Sequence, residues 1–484
     1  MDIDGPSNER IGLFIGGWSC IKSMPKKFKD NIVGTACNVK KIGQDDPRRI
    51  VHSLKVGMAL SLVSLFYYLR PVYKNFGDSA IWAVLTVVVV LEFSVGATLG
   101  KCINRGLATL LAGALGVGAQ HLATLAGKKG EPIILSFLVF LLAGGATFSR
   151  FFPKIKARYD YGVVIFILTF SLVTVSGYRV EEILKLADQR LLTVLIGGLI
   201  CVIISIVVCP VWAGEDLHKL IALNIAKLAD FLEGFGDEYF RNKDDDNEEE
   251  NTVASNSNKS HLKGYKSVLT SKATEELLAN IARWEPFHGR FMFRHPWNQY
   301  LKVGALTRKC AYQVEALNFY INSKVPEDFK KRIQDECTNM SSETGMALRK
   351  LASGIKTMRQ ASASNIHVAN SKEAAEELKL SLMRIVLPED MDLSHIMQAA
   401  TVASLLGEIV SCTEELVESV HELARQAKFK DLDPKVSLDK PSLAQLLHRG
   451  TVNPLAGDES PNVIITVCET SPHVIHRSSQ HATD

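Results

Sequence analysis

Lysine and arginine side chains lie within or beside long apolar stretches of this 484-residue chain. Lys55, Arg105 and Arg190 are the ones closest to apolar sequence or inside it. An ionisable side chain at the depth of the hydrocarbon layer costs about 2.5 to 3.5 kcal/mol on insertion scales, so it persists where it is paired or faces a wet cavity. Such cations can replace the water that is stripped from a carboxylate or an inorganic anion. These three side chains therefore predict an anion-binding pathway.

Further cations lie at the ends of the apolar stretches, and two interpretations of them are open. They can support the pathway, or they can anchor the chain at lipid headgroups and set its orientation. The first interpretation adds five pathway candidates, which are Lys101, Arg150, Lys154, Arg158 and Arg179. For flanking residues such as Lys128 and Lys156 the anchoring interpretation is favoured.

Glu92 is a carboxylate in the middle of the second apolar stretch. It can neutralise Lys55 or Arg105 and hold a helix bundle together, or it can titrate and couple transport to protons. The second role defines an alternative function, that of a proton-coupled organic anion carrier. A membrane scaffold or receptor that conducts nothing is a third class, but it leaves the buried cations unexplained.

Patterns of catalysis and metal binding are missing from the sequence. No Ser-His-Asp set, H-E-x-x-H motif or carboxylate pair stands out, so we expect that the protein is not an enzyme. The nine cysteines include no C-x-x-C pair and no histidines lie at zinc-ligand spacing, which predicts reduced thiols and neither a metal nor a cofactor. The formal net charge of +3 sums basic and acidic segments and gives no indication of nucleic-acid binding.

Six apolar stretches position the candidate side chains, and each is close to the ~20 residues that cross a hydrocarbon layer. They are residues 51–69, 80–100, 106–127, 132–149, 161–178 and 191–213. A helix buried in a soluble protein keeps a polar stripe, whereas these stretches show almost none. We therefore predict an all-α membrane protein with six transmembrane helices in a lipid bilayer, over residues 51–213. Small residues in the third and fourth stretches favour close helix packing and an oligomer.

The remaining sequence predicts soluble segments on the cytosolic side. Residues 1–50 are basic, which favours a cytosolic amino-terminus, and six spans return the chain to the same side. Residues 214–430 predict a helical cytosolic domain with helices over 300–321, 326–358, 372–386 and 393–429. The last of these has a coiled-coil-like spacing, which suggests contact with a second copy. An acidic flexible loop is predicted at 242–260 and a disordered tail at 431–484.

Several motifs resemble those of the plant aluminium-activated malate transporter family, a group of anion channels. The longest is W-A-V-L-T-V-V-V-V at 82–90 with E-F-S-V-G-A-T-L-G at 92–100. The shorter ones are D-P-R-R at 46–49, Y-D-Y-G at 159–162, P-V-W-A-G at 210–214, W-E-P at 284–286 and F-R-H-P-W at 293–297. The resemblance covers about residues 46–428.

The resemblance implies a homodimer with a pore between protomers, and passage of malate and of inorganic anions such as chloride, nitrate or sulfate. It implies that Arg105 and Arg190 are pore arginines. It also associates the motif Trp284-Glu285-Pro286 with gating, and a helix-start role for this Glu-Pro pair is the other interpretation. Plasma and vacuolar membranes both occur in the family, and the plasma membrane is the expectation here.

The chain departs from the aluminium-responsive members of that family on the expected outer face. Lys185 follows Glu181 and Glu182 where a further carboxylate is expected, and the loop at 70–79 is short. A trivalent cation needs a cluster of hard oxygen ligands. We therefore expect gating by voltage, by anions or by both, rather than by aluminium.

Overall fold

The computed structural model describes residues 26–68, 81–176, 180–240, 262–292, 294–321, 327–384 and 393–430. Fourteen helices and no strand form in these ranges, which confirms the predicted all-α class for this part of the chain. The predicted flexible loop at 242–260 and the predicted tail at 431–484 lie outside the described residues.

The amino-terminal half of the described chain contains the apolar helices. The seven helices are α1 (Lys26–Asp45), α2 (Pro47–Tyr68), α3 (Ile81–Val90), α4 (Val95–Thr124), α5 (Gly127–Ser149), α6 (Pro153–Ser176) and α7 (Val180–Val207). By length and composition, four of the described helices could cross a membrane, namely α4, α5, α6 and α7. α3 is apolar but only 10 residues long. For the first two predicted stretches, a membrane span therefore stays a prediction.

The second predicted stretch, residues 80–100, is not one continuous helix. Residues 91–94 separate α3 from α4. The hydroxyl of Ser94 accepts a hydrogen bond at 3.3 Å from a backbone N–H in the first turn of α4, which caps that helix. The hydroxyl of Thr98 accepts a hydrogen bond at 3.0 Å from the N–H of Glu92. Glu92 consequently lies in the link between two helices rather than in the middle of one.

The apolar helices pack around α4 and α7. α4 packs against α5, α6 and α7, while α2 and α3 pack against each other and against α7. α6 begins at Pro153, because proline at the first helical position needs no intrahelical partner for its nitrogen. α7 begins at Val180, so Arg190 lies inside this helix, whereas the predicted sixth span begins after it, at residue 191.

The second half of the described chain forms a helical region with its own core. Its helices are α8 (Ala213–Phe240), α9 (Lys266–Leu269), α10 (Lys272–Ala282), α11 (Trp297–Phe319), α12 (Glu327–Thr357), α13 (Ser364–Arg384) and α14 (Leu393–Gln426). α8 packs mainly on α12, and α14 packs on α11, α12 and α13. The four helices predicted after residue 300 correspond to α11 to α14, although α13 begins eight residues earlier than residue 372.

The apolar spacing along α14 is used inside the protomer. Leu406, Ile409 and Leu416 are buried in the core that α8 shares with α11 to α14. The coiled-coil-like pattern therefore has an explanation without a second copy, and the homodimer stays a prediction. Residues through Phe429 form one compact unit, and a domain division at residue 213 likewise stays a prediction.

Candidate functional site

Arg105 lies inside α4, with 4% of its surface exposed. The predicted spans 80–100 and 106–127 leave Arg105 between them, whereas α4 runs without interruption from Val95 to Thr124. Its guanidinium donates a hydrogen bond at 3.0 Å to the hydroxyl of Tyr161 on α6. Its Nε is buried without a hydrogen-bond partner in the part of the chain that the structure describes. Neighbouring helices thus hold the side chain, and its charge has no carboxylate there.

Arg190 lies on α7 and is 8% exposed. Its guanidinium carbon stands 4.1 Å from the ring centroid of Trp82 on α3, a cation–π contact. Its Nε, like that of Arg105, has no hydrogen-bond partner among the described residues. The flat guanidinium is held against an aromatic face while its charge is not neutralised.

Lys55 on α2 is 1% exposed. Within the described ranges it forms neither an ion pair nor a hydrogen bond. Lys55, Arg105 and Arg190 are therefore buried cations on three helices, and α2 and α4 both pack against α7, which carries Arg190. Buried charges are normally paired, so these groups retain the capacity to bind an anion.

Lys101 has a different role from the three buried cations. Its ammonium forms an ion pair with Glu92 and donates a hydrogen bond at 3.2 Å to the carbonyl oxygen of Val89, near the end of α3. The side chain therefore joins α4 to the link that precedes it. The interpretation in which Glu92 pairs with Lys55 or Arg105 is wrong, because Glu92 forms its ion pair with Lys101.

The cations near the start of α6 divide into three kinds. Arg150 forms two parallel hydrogen bonds with Asp160, at 2.6 and 3.1 Å, so its charge is neutralised. Lys154 is exposed. Arg158 stacks on Trp284, with its guanidinium carbon 5.0 Å from the ring centroid, and its Nε is buried without a partner among the described residues. The remaining pathway candidate, Arg179, lies outside the described residues.

The W-E-P motif lies in the connection from α10 to α11 and caps another helix. The carboxylate of Glu285 accepts hydrogen bonds from the backbone N–H groups of Ala213 at 2.6 Å and Gly214 at 3.1 Å, the first two residues of α8. Glu285 thus has a helix-start role, but for a helix that begins about 70 residues earlier. Pro286 begins no helix, since α11 starts at Trp297. Burial raises the pKa of Glu285 to about 7, although the two N–H groups oppose that shift.

The same connection rests directly on α4. A Cβ atom at Gly96 would lie 2.6 Å from the carbonyl oxygen of Ile281 and 2.8 Å from Cγ of Glu285. A Cβ atom at Gly100 would lie 3.0 Å from the Trp284 ring. Both positions need glycine because the end of α10 and the connection that follows it lie so close to the backbone of α4. The helix that carries Lys101 and Arg105 is therefore in contact with the motif.

Three histidines lie in or beside this loop, and the sequence had not indicated a role for them. The ring of His288 stacks on Trp212 with centroids 3.8 Å apart. Nδ1 of His218 lies 2.8 Å from the Tyr300 hydroxyl, and Nε2 of His295 lies 3.4 Å from it. Burial lowers the pKa of both His218 and His295 to about 4, so both are neutral near pH 7. Trp212 and His295 belong to the motifs P-V-W-A-G and F-R-H-P-W, which had been noted for the resemblance alone.

A second link joins the amino-terminal segment to α8. The guanidinium of Arg48, at the start of α2, lies 3.1 Å from both carboxylate oxygens of Asp216. Among the described residues, no cluster of three or more histidine, cysteine or carboxylate side chains could hold a metal ion.

Comparison with known proteins gives a consistent result. The family described as "Aluminium activated malate transporter" matches residues 40–388. The chain is 52% identical over 410 residues to aluminum-activated malate transporter 2 of Arabidopsis thaliana, covering 84% of this chain and 81% of that protein. It is 44% identical over 480 residues to aluminum-activated malate transporter 1 of Triticum aestivum, covering 96% of this chain and 100% of that protein.

Proposed function

Because the chain belongs to the aluminium-activated malate transporter family, we propose that it is a passive channel for malate and for inorganic anions such as chloride, nitrate and sulfate. The proposal includes a homodimer with six spans per protomer, a pore between protomers, and a cytosolic helical domain. It places the channel in the plasma membrane of a plant cell.

The observation that carries the proposal is the burial of Lys55, Arg105 and Arg190 without a carboxylate partner in the described chain. Removing water from an unpaired cation is unfavourable, and the cost is offset when an anion takes the place of that water. Arginine suits this role because it stays charged and can hold a carboxylate through two parallel hydrogen bonds. Fixed cations that no protein carboxylate neutralises would attract dicarboxylates and small inorganic anions alike.

The positions of the other candidates refine the proposal. Lys101 and Arg150 pair with protein carboxylates, so we assign them to the structure of the bundle rather than to anion binding. The contacts of Trp284 and Glu285 with α4 support a gating role for their loop. A displacement of the loop would also displace α4, the helix that carries Arg105. Gating by voltage or by anions, without aluminium, is part of the proposal.

Anion currents measured by patch clamp in single-anion solutions would test this proposal. We expect Arg105→Gln and Arg190→Gln to reduce malate and chloride currents at equal surface expression. Lys154→Gln, which removes an exposed cation near the start of α6, is the matched control and should conduct normally. Wild-type currents from both arginine variants would remove these residues from the mechanism.

The proton-coupled carrier that uses Glu92 makes a different prediction. The reversal potential of a coupled carrier shifts with pH, whereas that of a passive channel follows the anion gradient alone. The ion pair of Glu92 with Lys101 speaks for a structural carboxylate. A reversal potential that moves with pH in wild type and not in Glu92→Gln would instead establish the carrier.

A further inference from the structure

A cavity of about 590 Å³ lies between α4, Arg158 of α6 and the connection from α10 to α11. Three arginines line it, Arg158, Arg283 and Arg294. One carboxylate, that of Glu285, lines it as well, and its oxygens already accept hydrogen bonds from two N–H groups of α8. The lining is therefore positive, with donors on several sides.

The N-terminus of the 23-residue helix α11 opens on this cavity. Its first two residues, Trp297 and Asn298, belong to the lining, and no side chain caps the helix at Pro296. Of its first three N–H groups, those of Trp297 and Gln299 already donate to the carbonyl oxygens of His295 and Pro296, whereas that of Asn298 has no acceptor among the described residues. This end of the helix carries a partial positive charge. Helix N-termini are a frequent binding site for phosphate groups.

Two buried polar atoms provide independent support. His295 lines the cavity and is 4% exposed, and its Nδ1 has no hydrogen-bond partner among the described residues. Nε of Arg158 is also buried without a hydrogen-bond partner among the described residues. Buried polar atoms are almost always hydrogen-bonded in folded proteins, so both atoms remain available to a ligand.

We propose that this cavity binds a phosphate group between the α11 N-terminus and the guanidinium groups of Arg158 and Arg283. A phosphate offers three acceptor oxygens in a tetrahedral arrangement and up to two negative charges, which suits donors that approach from several directions. A planar carboxylate would reach fewer of them. The phosphate can belong to a soluble ion or to a lipid headgroup, since Leu99 and Ile103 of α4 also line the cavity.

The test measures binding of inorganic phosphate to the purified full-length protein by isothermal titration calorimetry. In the variant Asn298→Asp a carboxylate enters the first turn of α11, where it suits the helix dipole but repels phosphate. It also sequesters Arg283, which donates a hydrogen bond to Asn298. We expect binding to weaken at least tenfold while the melting temperature stays equal or rises, which separates this result from misfolding. Arg283→Gln should weaken binding in the same direction.

The matched control is Arg290→Gln. Arg290 is an exposed arginine of the same connection, donates a hydrogen bond at 3.0 Å to the carbonyl oxygen of Thr357, and does not line the cavity. Its replacement removes the same charge and should leave phosphate binding unchanged. Equal loss of binding in Arg290→Gln and Arg283→Gln would contradict the proposed location.

A second arm identifies the source of the phosphate. Vesicles of phosphatidylcholine, with and without a phosphatidylinositol phosphate, replace the free ion. Binding of either source that is lost in Asn298→Asp supports the proposal, and the source that binds is the ligand. Equal binding by wild type and Asn298→Asp, or no binding of either source, overturns it. Arg105 does not line the cavity, so Arg105→Gln should bind phosphate like wild type. The binding test can therefore fail or succeed independently of the current measurements that test the proposed channel.

Discussion

The carboxylate of Glu285 accepts a hydrogen bond at 3.1 Å from the backbone N–H of Gly214, so a loop near α10 caps the N-terminus of α8. The same glycine leaves room for the ring of Trp297, since a Cβ atom there would lie 2.4 Å from the ring. α8 follows directly after the last apolar helix. The link between the apolar helices and the helical region therefore depends on a buried carboxylate.

Ionisation of Glu285 should make stability depend on pH in a defined window. The pKa of this carboxyl group is about 7 in the folded protein, against an ordinary value of about 4.3. Between these values the folded state binds more protons than the unfolded state, so this contribution to stability falls as pH rises. Glutamine cannot ionise, but it keeps only one of the two oxygens that accept hydrogen bonds from α8. We therefore expect Glu285→Gln to melt below wild type near pH 5, and this difference to shrink by pH 8. Thermal unfolding of both proteins across this range provides the measurement.

Loop contact with α4 predicts a size limit at Gly96. Alanine there would meet the carbonyl oxygen of Ile281 and Cγ of Glu285 at less than 3 Å, and we expect a loss of about 1 to 3 kcal/mol in stability. The control is Gly106→Ala on the same helix, where no atom lies within 4 Å. It should be neutral or slightly stabilising, because alanine favours a helix by roughly 0.5 to 1 kcal/mol over glycine. Equal melting temperatures for the two variants would contradict the contact.

The positions of the helices could be predicted from the sequence better than the contacts between them. Apolar periodicity marks where α11 to α14 lie, because each must bury one face. The break at residues 91–94 could not be read from apolarity, since every position around it is compatible with a membrane helix. Capping by Ser94 and the hydrogen bond from the N–H of Val95 to the carbonyl oxygen of Val211 decide it, and the second of these depends on tertiary structure.

In the candidate site, too, the residues could be predicted but their contacts could not. Lys55, Arg105 and Arg190 were predicted because a cation in apolar sequence needs a partner or a wet cavity, and the structure buries all three. The aromatic partners of Arg190 and Arg158 were not predictable, since Trp82 and Trp284 are more than 100 residues away along the chain. The pairing of Glu92 with Lys101 was missed because Glu92 had been placed in the middle of a span and Lys101 beyond the end of that span.

A double-mutant cycle tests whether Glu92 and Lys101 act as a structural pair. Each single replacement by glutamine leaves the other charge without its partner, whereas the double replacement leaves none. We expect a coupling of about 0.5 to 1 kcal/mol in unfolding experiments, since both side chains are about one-third exposed and the pair is partly screened. Anion current from the double variant should lie closer to wild type than current from Lys101→Gln. Additive effects in both measurements would contradict the pairing.

The contact of Arg190 with Trp82 predicts that this ring on α3 holds the Arg190 side chain on α7 in one orientation. Trp82→Leu removes the ring face 4.1 Å from the guanidinium, a contact worth about 0.5 to 2 kcal/mol, and the freed side chain should sample other orientations. We expect anion current to fall as it does in Arg190→Gln, while Trp82→Phe, which keeps a ring, retains most of it. Currents at matched surface expression measure the effect. If Trp82→Leu conducts like wild type, the ring does not position Arg190 for anions, because a guanidinium without its aromatic support then works as well.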